Sequence, residues 1–148
     1  MTIRLLLVDD HAVVRSGLKM LISGQKEMEI VGEAGSAGEA MTETERVQPN
    51  VILMDIGLPD QTGIEATRSI KAKFPNVNVV ALTIHEDEEY FFQMLNAGAS
   101  GYVPKRAAPE ELITAIKAAA NGEVYLYPSL AKLLVRDFVS TDRTAEEK

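Results

Sequence analysis

Short runs of aliphatic and β-branched residues recur along this chain, and the segments between them carry apolar residues at helical spacing. The runs are Ile3–Val8, Glu29–Ala34, Val51–Met54, Asn78–Leu82 and Gly101–Pro104. Three of the five runs are nearly all apolar, which is typical of parallel strands covered on both faces, since a half-solvated strand alternates apolar and polar residues. This alternation of strand and helix signals predicts an α/β fold with a doubly wound, five-stranded parallel sheet.

Helices are predicted between these strands and after the last of them. They span about residues 12–22, 38–47, 63–73, 88–96 and 109–120. Thr62 is the predicted N-cap of the third helix, and Pro109 suits the first turn of the fifth. Because Asn121-Gly122 is a typical helix end, the predicted domain covers residues 1–122.

The residues after this domain carry one more helical pattern and a polar tail. Apolar residues recur at helical spacing within Pro128–Val139. The tail, Ser140–Lys148, has no large apolar residue that would bury a core, so it is predicted to be a linker. Residues 123–148 are therefore expected to form an extra C-terminal helix and a linker.

Composition restricts the kind of protein further. The chain has 148 residues and a net charge of −7, so this stretch is not expected to wrap nucleic-acid phosphates by itself. It has no cysteine, which excludes disulfides and thiolate zinc sites. The apolar stretch Leu5–Val8 is stopped by two aspartates, so neither a signal peptide nor a membrane span is predicted.

Polar side chains follow the predicted strands where a parallel sheet binds its ligands. Asp9 and Asp10 follow the first strand, Asp55 the third, Thr83 ends the fourth and Lys105 follows the fifth. The carboxyl ends of parallel strands lie at one edge of the sheet. Three carboxylates gathered there must protonate, separate or share a cation. Because carboxylate oxygens are hard ligands, this pattern predicts a magnesium site and chemistry on phosphate.

Four segments together closely resemble the receiver domain of bacterial two-component response regulators. They are VDD at 8–10, MDIGLPDQTG at 54–63, LT at 82–83 and GYVPK at 101–105. The resemblance spans about residues 2–122. It implies a flavodoxin-like (CheY-like) fold with strand order 2-1-3-4-5, a cytoplasmic location, and phosphorylation by a sensor histidine kinase. A signalling domain is expected, not an enzyme, apart from self-catalysed phosphoryl transfer and dephosphorylation.

The resemblance also implies roles for individual residues. Asp55 matches the phosphoryl acceptor. The metal ligands would be Asp9, Asp10, Asp55 and the backbone carbonyl of Gly57, binding Mg²⁺, with Mn²⁺ as an alternative ion. Thr83 and Lys105 match the pair that holds the phosphoryl group. Tyr102 resembles the switch aromatic, whose ring turns inward when the Thr83 hydroxyl moves to the phosphoryl group; a half-buried structural tyrosine is the alternative.

Two histidines lie next to these positions. His85, two residues after Thr83, is expected either to tune the lifetime of the phosphoryl group or to be a solvent-exposed loop residue. His11 follows the acidic pair, but magnesium seldom recruits imidazole. His11 is therefore expected to cap the helix start or to be exposed to solvent, with no role as a metal ligand.

Glycine and proline residues are expected to shape the loops of the site. Pro59 restricts its loop, while Gly57 and Gly63 are expected to permit close approach or positive φ. Arg106 stands where many receivers have proline, and Pro104 replaces a common aliphatic residue. The peptide geometry after Lys105 therefore stays open.

Three further segments resemble the subfamily that carries a C-terminal helix-turn-helix of the LuxR type (NarL/FixJ-like). They are GEAGSAGEA at 32–40, LNAGASGYVPK at 95–105 and NGEVYLYPSLA at 121–131. This resemblance implies a transcription regulator that forms a homodimer on phosphorylation. DNA would be bound only through a C-terminal domain absent from this chain, with residues 123–148 leading toward it.

Other functions remain as alternatives. A stand-alone receiver would act as a phosphorelay or phosphate sink through protein contacts. A magnesium-dependent phosphatase usually needs a second aspartate where Gly57 stands. A flavin-binding module needs a phosphate-binding loop where Asp9 and Asp10 would repel the cofactor.

Overall fold

Strands and helices alternate along the chain in the computed structural model, which describes residues 2–84 and 88–147. The elements are β1 (Ile3–Val8), α1 (Ala12–Ser23), β2 (Met28–Ala34), α2 (Ala37–Val47), β3 (Val51–Met54), α3 (Gly63–Lys73), β4 (Asn78–Thr83), α4 (Glu88–Asn96), β5 (Gly101–Pro104), α5 (Pro109–Ala120), β6 (Tyr125–Leu126) and α6 (Pro128–Glu147).

The strands of the described ranges form one parallel sheet in the order β2-β1-β3-β4-β5-β6. The order of the first five confirms the predicted flavodoxin-like topology. The sixth strand was not predicted. It contains only Tyr125 and Leu126, which pair with Tyr102 and its neighbour Gly101. Two residues are too few to produce a periodic signal, so only the tertiary pairing defines this strand.

The core consists of two apolar layers, one on each face of the sheet. Leu5 and Leu7 of β1 face the layer formed with α1 and α5. Leu6 and Val8, the alternate residues, face the layer formed with α2, α3 and α4. Because both faces are covered, β3 is buried along its whole length, as its continuous apolar run predicts. The sheet is therefore doubly wound, and only its strand ends remain for a polar site.

Capping residues explain where two of the helices begin. The Ser36 hydroxyl accepts a hydrogen bond from the Glu39 N–H at the start of α2. At the start of α3 the Thr62 hydroxyl accepts one from the Glu65 N–H, which confirms the predicted N-cap. Each side chain satisfies a donor that has no partner inside its helix.

The last helix extends beyond its predicted end. We expected a helix over Pro128–Val139 and a linker after it, but α6 continues to Glu147. No glycine or proline lies between residues 129 and 148, so no helix-breaking residue follows Val139. Leu130 of α6 is buried in the layer formed with α4. No helix within the described residues is long and apolar enough to cross a membrane.

Candidate functional site

The structure brings the predicted charged residues together at the carboxyl ends of the strands. Carboxylate oxygens of Asp9, Asp10 and Asp55, which we call the acidic cluster, lie within 4.8 Å of one another. Asp9 and Asp55 are buried, whereas Asp10 lies at the surface. Thr83 is fully buried at the end of β4. The site therefore has a buried acidic floor with one side open to water.

Lys105 places its ammonium group among these carboxylates. Its Nζ lies 2.9 Å from Asp9 Oδ2 and 3.6 Å from Asp55 Oδ2. The Lys105 backbone N–H donates to the Thr83 carbonyl at 2.7 Å, which continues the pairing of β4 with β5 past the strand end. The peptide bond after Lys105 is trans, like every other peptide bond in the described part of the chain. Sheet pairing therefore positions the lysine at the acidic cluster.

The loop that follows Asp55 depends on a close backbone approach at Gly63. A Cβ atom at position 63 would press on the Asp55 carbonyl oxygen and would lie 2.8 Å from Ile56 Cα. The Gly63 N–H also donates to the Ile56 carbonyl at 2.7 Å. Only glycine fits this approach, as predicted for position 63.

The predicted close approach or positive φ is wrong for Gly57. Its φ angle is not in the positive region, and a Cβ atom there would have no described atom within 4 Å. The Gly57 N–H donates to Asp55 Oδ1 at 3.3 Å, a bond that any residue except proline can make. The structure therefore gives position 57 room for a side chain.

The two buried carboxyl groups ionise differently. Burial opposes ionisation of Asp9, but hydrogen bonds from the Lys105 ammonium and the His11 N–H outweigh it and hold its pKa below the usual 3.8. Burial raises the pKa of Asp55 above the same value, and the negative charge of Asp9 adds to this effect. Lys105 offsets only part of it. Asp55 is therefore the carboxylate whose negative charge most needs a further cation.

The donor set fits a small hard cation such as Mg²⁺. Three carboxylate groups supply oxygen ligands, and Mg²⁺ keeps several waters when it binds to proteins. Asp10 lies on the open side of the cluster, where such waters have access. Burial first and the charge of Asp9 second raise the pKa of Asp55, and Lys105 offsets only part of this, so a further cation would favour the ionised carboxylate.

His11 contacts the acidic cluster directly, which sequence reasoning did not predict. It occupies the N-cap position of α1 but its side chain makes no capping hydrogen bond, so the capping alternative was wrong; the side chain is 64% exposed, which confirms the expected exposure. Its ring Nδ1, however, lies 3.1 Å from Asp9 Oδ1 and 3.0 Å from Asp10 Oδ1. Adjacency in sequence to the acidic pair was the available signal.

Two other polar residues near the site were also missed. Arg15 of α1 donates through Nη1 to the Asp9 backbone carbonyl, and its Nε lies 3.1 Å from Glu33 Oε1. Asp60, in the loop after β3, accepts hydrogen bonds from backbone N–H groups of α2. Neither contact has a sequence signal, because each joins separate elements.

Tyr102 is fully buried in β5 and not half-buried as its structural alternative supposed. Its ring meets Phe91 of α4 edge-on, with centroids 5.5 Å apart and planes 82° apart. The ring thus lies in the inward position. His85, the predicted lifetime-tuning residue, lies outside the described residues.

The sequence of the chain is similar to those of known proteins. Residues 5–117 match the family model for the response regulator receiver domain. The chain is 38% identical over 138 residues to the oxygen regulatory protein NreC of Staphylococcus carnosus (strain TM300), covering 93% of this chain and 64% of that protein. It is 40% identical over 147 residues to the uncharacterized transcriptional regulatory protein YxjL of Bacillus subtilis (strain 168), covering 99% of this chain and 67% of that protein. The chain thus spans less than two thirds of the first relative.

Solved structures have the same architecture. A two-component response regulator of the LuxR family from Aurantimonas sp. SI85-9A1 superposes with a TM-score of 0.89 at 37% identity, covering 94% of this chain and 99% of that one. The isolated REC domain of RcsB from Salmonella enterica serovar Typhimurium gives a TM-score of 0.83 at 23% identity, covering 90% and 99%. At that identity the second similarity concerns the fold alone.

Proposed function

The chain belongs to the response regulator receiver domain family, and on that basis we propose that Asp55 accepts a phosphoryl group from a sensor histidine kinase. The observation that carries this proposal is the position of the Asp55 carboxylate. It is buried at the end of β3, 3.6 Å from the Lys105 ammonium and next to the carboxylates of Asp9 and Asp10. Asp9 is also buried in this cluster, but it pairs directly with Lys105 at 2.9 Å, whereas Asp55 lies farther from that ammonium group and its pKa is raised by burial.

The proposed chemistry is nucleophilic transfer. A carboxylate oxygen of Asp55 forms a bond to phosphorus while the bond between phosphorus and the donor breaks, and that electron pair leaves with the donor. Phosphoryl transfer needs alignment and neutralisation of charge on the equatorial oxygens more than covalent work by the protein. Lys105 supplies a positive charge on one side, and the Thr83 hydroxyl a hydrogen bond on another.

Asp9, Asp10, Asp55 and the Gly57 carbonyl are the proposed ligands of Mg²⁺. When bound, the ion supplies positive charge that keeps Asp55 ionised and neutralises phosphoryl oxygens. Mn²⁺ is the alternative ion, since it also prefers oxygen ligands. The need for such a charge is supported by the raised pKa of Asp55.

Phosphorylation is proposed to act as a switch for transcription. One relative is named an oxygen regulatory protein and the other a transcriptional regulatory protein, and this chain covers only 64% and 67% of their lengths. We infer that a C-terminal helix-turn-helix domain binds the DNA and that phosphorylation favours a homodimer. Thr83 and Tyr102 are proposed to transmit the conformational change from the phosphorylation site.

His85 is proposed to tune the lifetime of the phosphoryl group. The cytoplasmic location implied by the family is part of the same proposal.

Intact-mass measurement after incubation with acetyl phosphate and Mg²⁺ tests the central step. Wild type should gain one phosphoryl group, and Asp55→Asn should gain none. Glu45→Gln, which changes an exposed carboxylate on α2, is the control and should behave like wild type. A wild type that stays unmodified, or an Asp55→Asn variant modified to the same extent, would contradict the proposal.

A further inference from the structure

Asp60 joins the loop that follows β3 to the start of α2. One of its carboxylate oxygens accepts the Ala37 N–H at 2.8 Å, and the other accepts the Gly38 N–H at 2.9 Å. These are first-turn donors of α2, which have no partner inside the helix. The two segments are more than 20 residues apart in sequence, so the contact is a tertiary one.

We propose that Asp60 is a positioning residue for the metal site, holding the β3–α3 loop (residues 55–62) so that the Gly57 carbonyl stays in place as a ligand. This inference rests on the proposed function, because it assigns a support to the proposed Mg²⁺ site. Asp60 does not touch the ion itself; it acts through the backbone of its loop.

The loop needs such a support because most of it is exposed. Gly57 and every residue from Pro59 to Thr62 lie at the surface. One end of the loop is held where the Gly57 N–H meets Asp55 Oδ1, and the other where Gly63 packs on the Asp55 backbone. A backbone carbonyl binds a metal well only when its loop is held in one geometry. Asp60 holds the middle of the loop against a helix.

Helix α2 is held in place by its packing. Ala37, Ala40, Thr44 and Val47 of α2 are all buried, so its position is determined by packing on the sheet. By contrast, a contact between two loops would leave both free to move together. The Asp60 bonds therefore transmit the fixed position of α2 to the metal loop.

Asp60 caps α2 from a different segment of the chain, in addition to the capping bonds that residues at the start of α2 make among themselves. The Ser36 hydroxyl accepts the Glu39 N–H at 3.1 Å, and the Glu39 carboxylate accepts the Gly35 N–H at 2.7 Å. Both of these bonds stay within the start of α2. Ser36→Ala thus weakens the same helix end without touching the loop, which makes it the matched control for Asp60→Ala.

Titration of the purified chain with Mg²⁺, followed by calorimetry, tests the proposal. Loss of residues that orient metal ligands typically weakens affinity about 10- to 100-fold, and the exposure of Asp60 places the expected loss for Asp60→Ala lower, at about three- to tenfold. Asp60→Asn keeps one acceptor oxygen and should fall between wild type and Asp60→Ala. Ser36→Ala should bind Mg²⁺ like wild type while losing thermal stability.

A second measurement does not depend on the metal. Amide hydrogen exchange at Gly57, without Mg²⁺, should be faster in Asp60→Ala than in Ser36→Ala. Mg²⁺ binding by Asp60→Ala equal to wild type would overturn the inference, and so would an equal weakening in Ser36→Ala. If Asp60→Ala does not fold, Asp60→Asn replaces it: weaker Mg²⁺ binding than in Ser36→Ala supports the role of Asp60, and equal binding overturns it.

The outcome is distinguishable from failure of the proposed function. A wild type that neither binds Mg²⁺ nor accepts a phosphoryl group contradicts both proposals. A wild type that does both, beside an Asp60→Ala variant that matches it, contradicts only the role of Asp60.

Discussion

The Lys105 ammonium lies 2.9 Å from the carboxylate of Asp9, a residue 96 positions earlier in the chain. The two side chains reach each other across the ends of β3 and β4, which separate β1 from β5 in the sheet. This ion pair is nearly enclosed, since the Asp9 side chain is 3% exposed and that of Lys105 is 19% exposed. The ion pair therefore links the end of β1 to the end of β5 without a bound metal ion.

Removal of this cation should destabilise the fold. Lys105→Ala leaves buried carboxylates without their ammonium partner, and hydrogen bonds to charged groups contribute about 1.5–3 kcal/mol each. We expect a loss in this range, measured by urea unfolding without divalent ions. Lys117→Ala is the control, because Lys117 pairs with Glu27 at the surface, where ion pairs contribute little. Equal stability of Lys105→Ala and wild type would contradict this assignment.

Removal of the Asp55 charge should have the opposite effect. The pKa of Asp55 is raised in the folded chain, so at neutral pH its ionised form opposes folding; this cost shrinks as the pH falls through the raised pKa and is gone below the usual 3.8. Asp55→Asn should therefore unfold at a higher temperature than wild type in the presence of a chelator. Added Mg²⁺ should reduce the difference, because it stabilises the wild type that binds it. A lower unfolding temperature for Asp55→Asn in chelator would contradict the sign.

The glycines of the β3–α3 segment should tolerate substitution very differently. Gly63→Ala forces a methyl group against the backbone of Asp55 and Ile56, and overpacking of this kind costs about 1–3 kcal/mol. Gly57→Ala meets open space and should leave stability nearly unchanged. Chemical denaturation of both variants provides the comparison. An equal loss of unfolding free energy in Gly63→Ala and Gly57→Ala would contradict the close backbone contact at Gly63.

The contribution of Asp60 to stability should depend on pH. Hydrogen bonds from the Ala37 and Gly38 N–H groups hold its pKa below the usual 3.8. A lowered pKa means that its stabilising effect is complete above 3.8 and is lost as the pH falls through the folded-state pKa. The gap in unfolding temperature between wild type and Asp60→Ala should therefore be constant near neutral pH and should shrink in acid. A gap that widens in acid would contradict these hydrogen bonds.

Substitutions at Tyr102 should separate its packing from its signalling role. Tyr102→Ala removes a fully buried ring that meets Phe91 edge-on, and loss of a buried aromatic ring costs about 3–5 kcal/mol. Tyr102→Phe keeps the ring and should cost much less in urea unfolding. If the hydroxyl serves the proposed switch, Tyr102→Phe should still accept a phosphoryl group on Asp55 but form less homodimer, measured by sedimentation. Unchanged dimerisation would assign Tyr102 to packing alone.

Local patterns were sufficient for much of this molecule. The apolar runs predicted five strands and the order of the sheet followed from the family resemblance, both of which the structure confirms. Asp9, Asp10 and Asp55 were predicted to meet because parallel strands end at one edge. The short strand Tyr125–Leu126 was missed because two residues carry no period, and the end of α6 was missed because the residues after Val139 have no apolar stripe.

The amino-acid order alone thus specified which chemical groups this protein has at its strand ends, since strand and turn preferences act over a few neighbouring residues. Folding decided how those groups pair: Lys105 lies closer to Asp9 than to Asp55, and Asp60 binds α2. It also set opposite pKa shifts on Asp9 and Asp55, two residues of one type. Burial and distances of a few ångströms govern these effects, and both arise only when distant segments pack together.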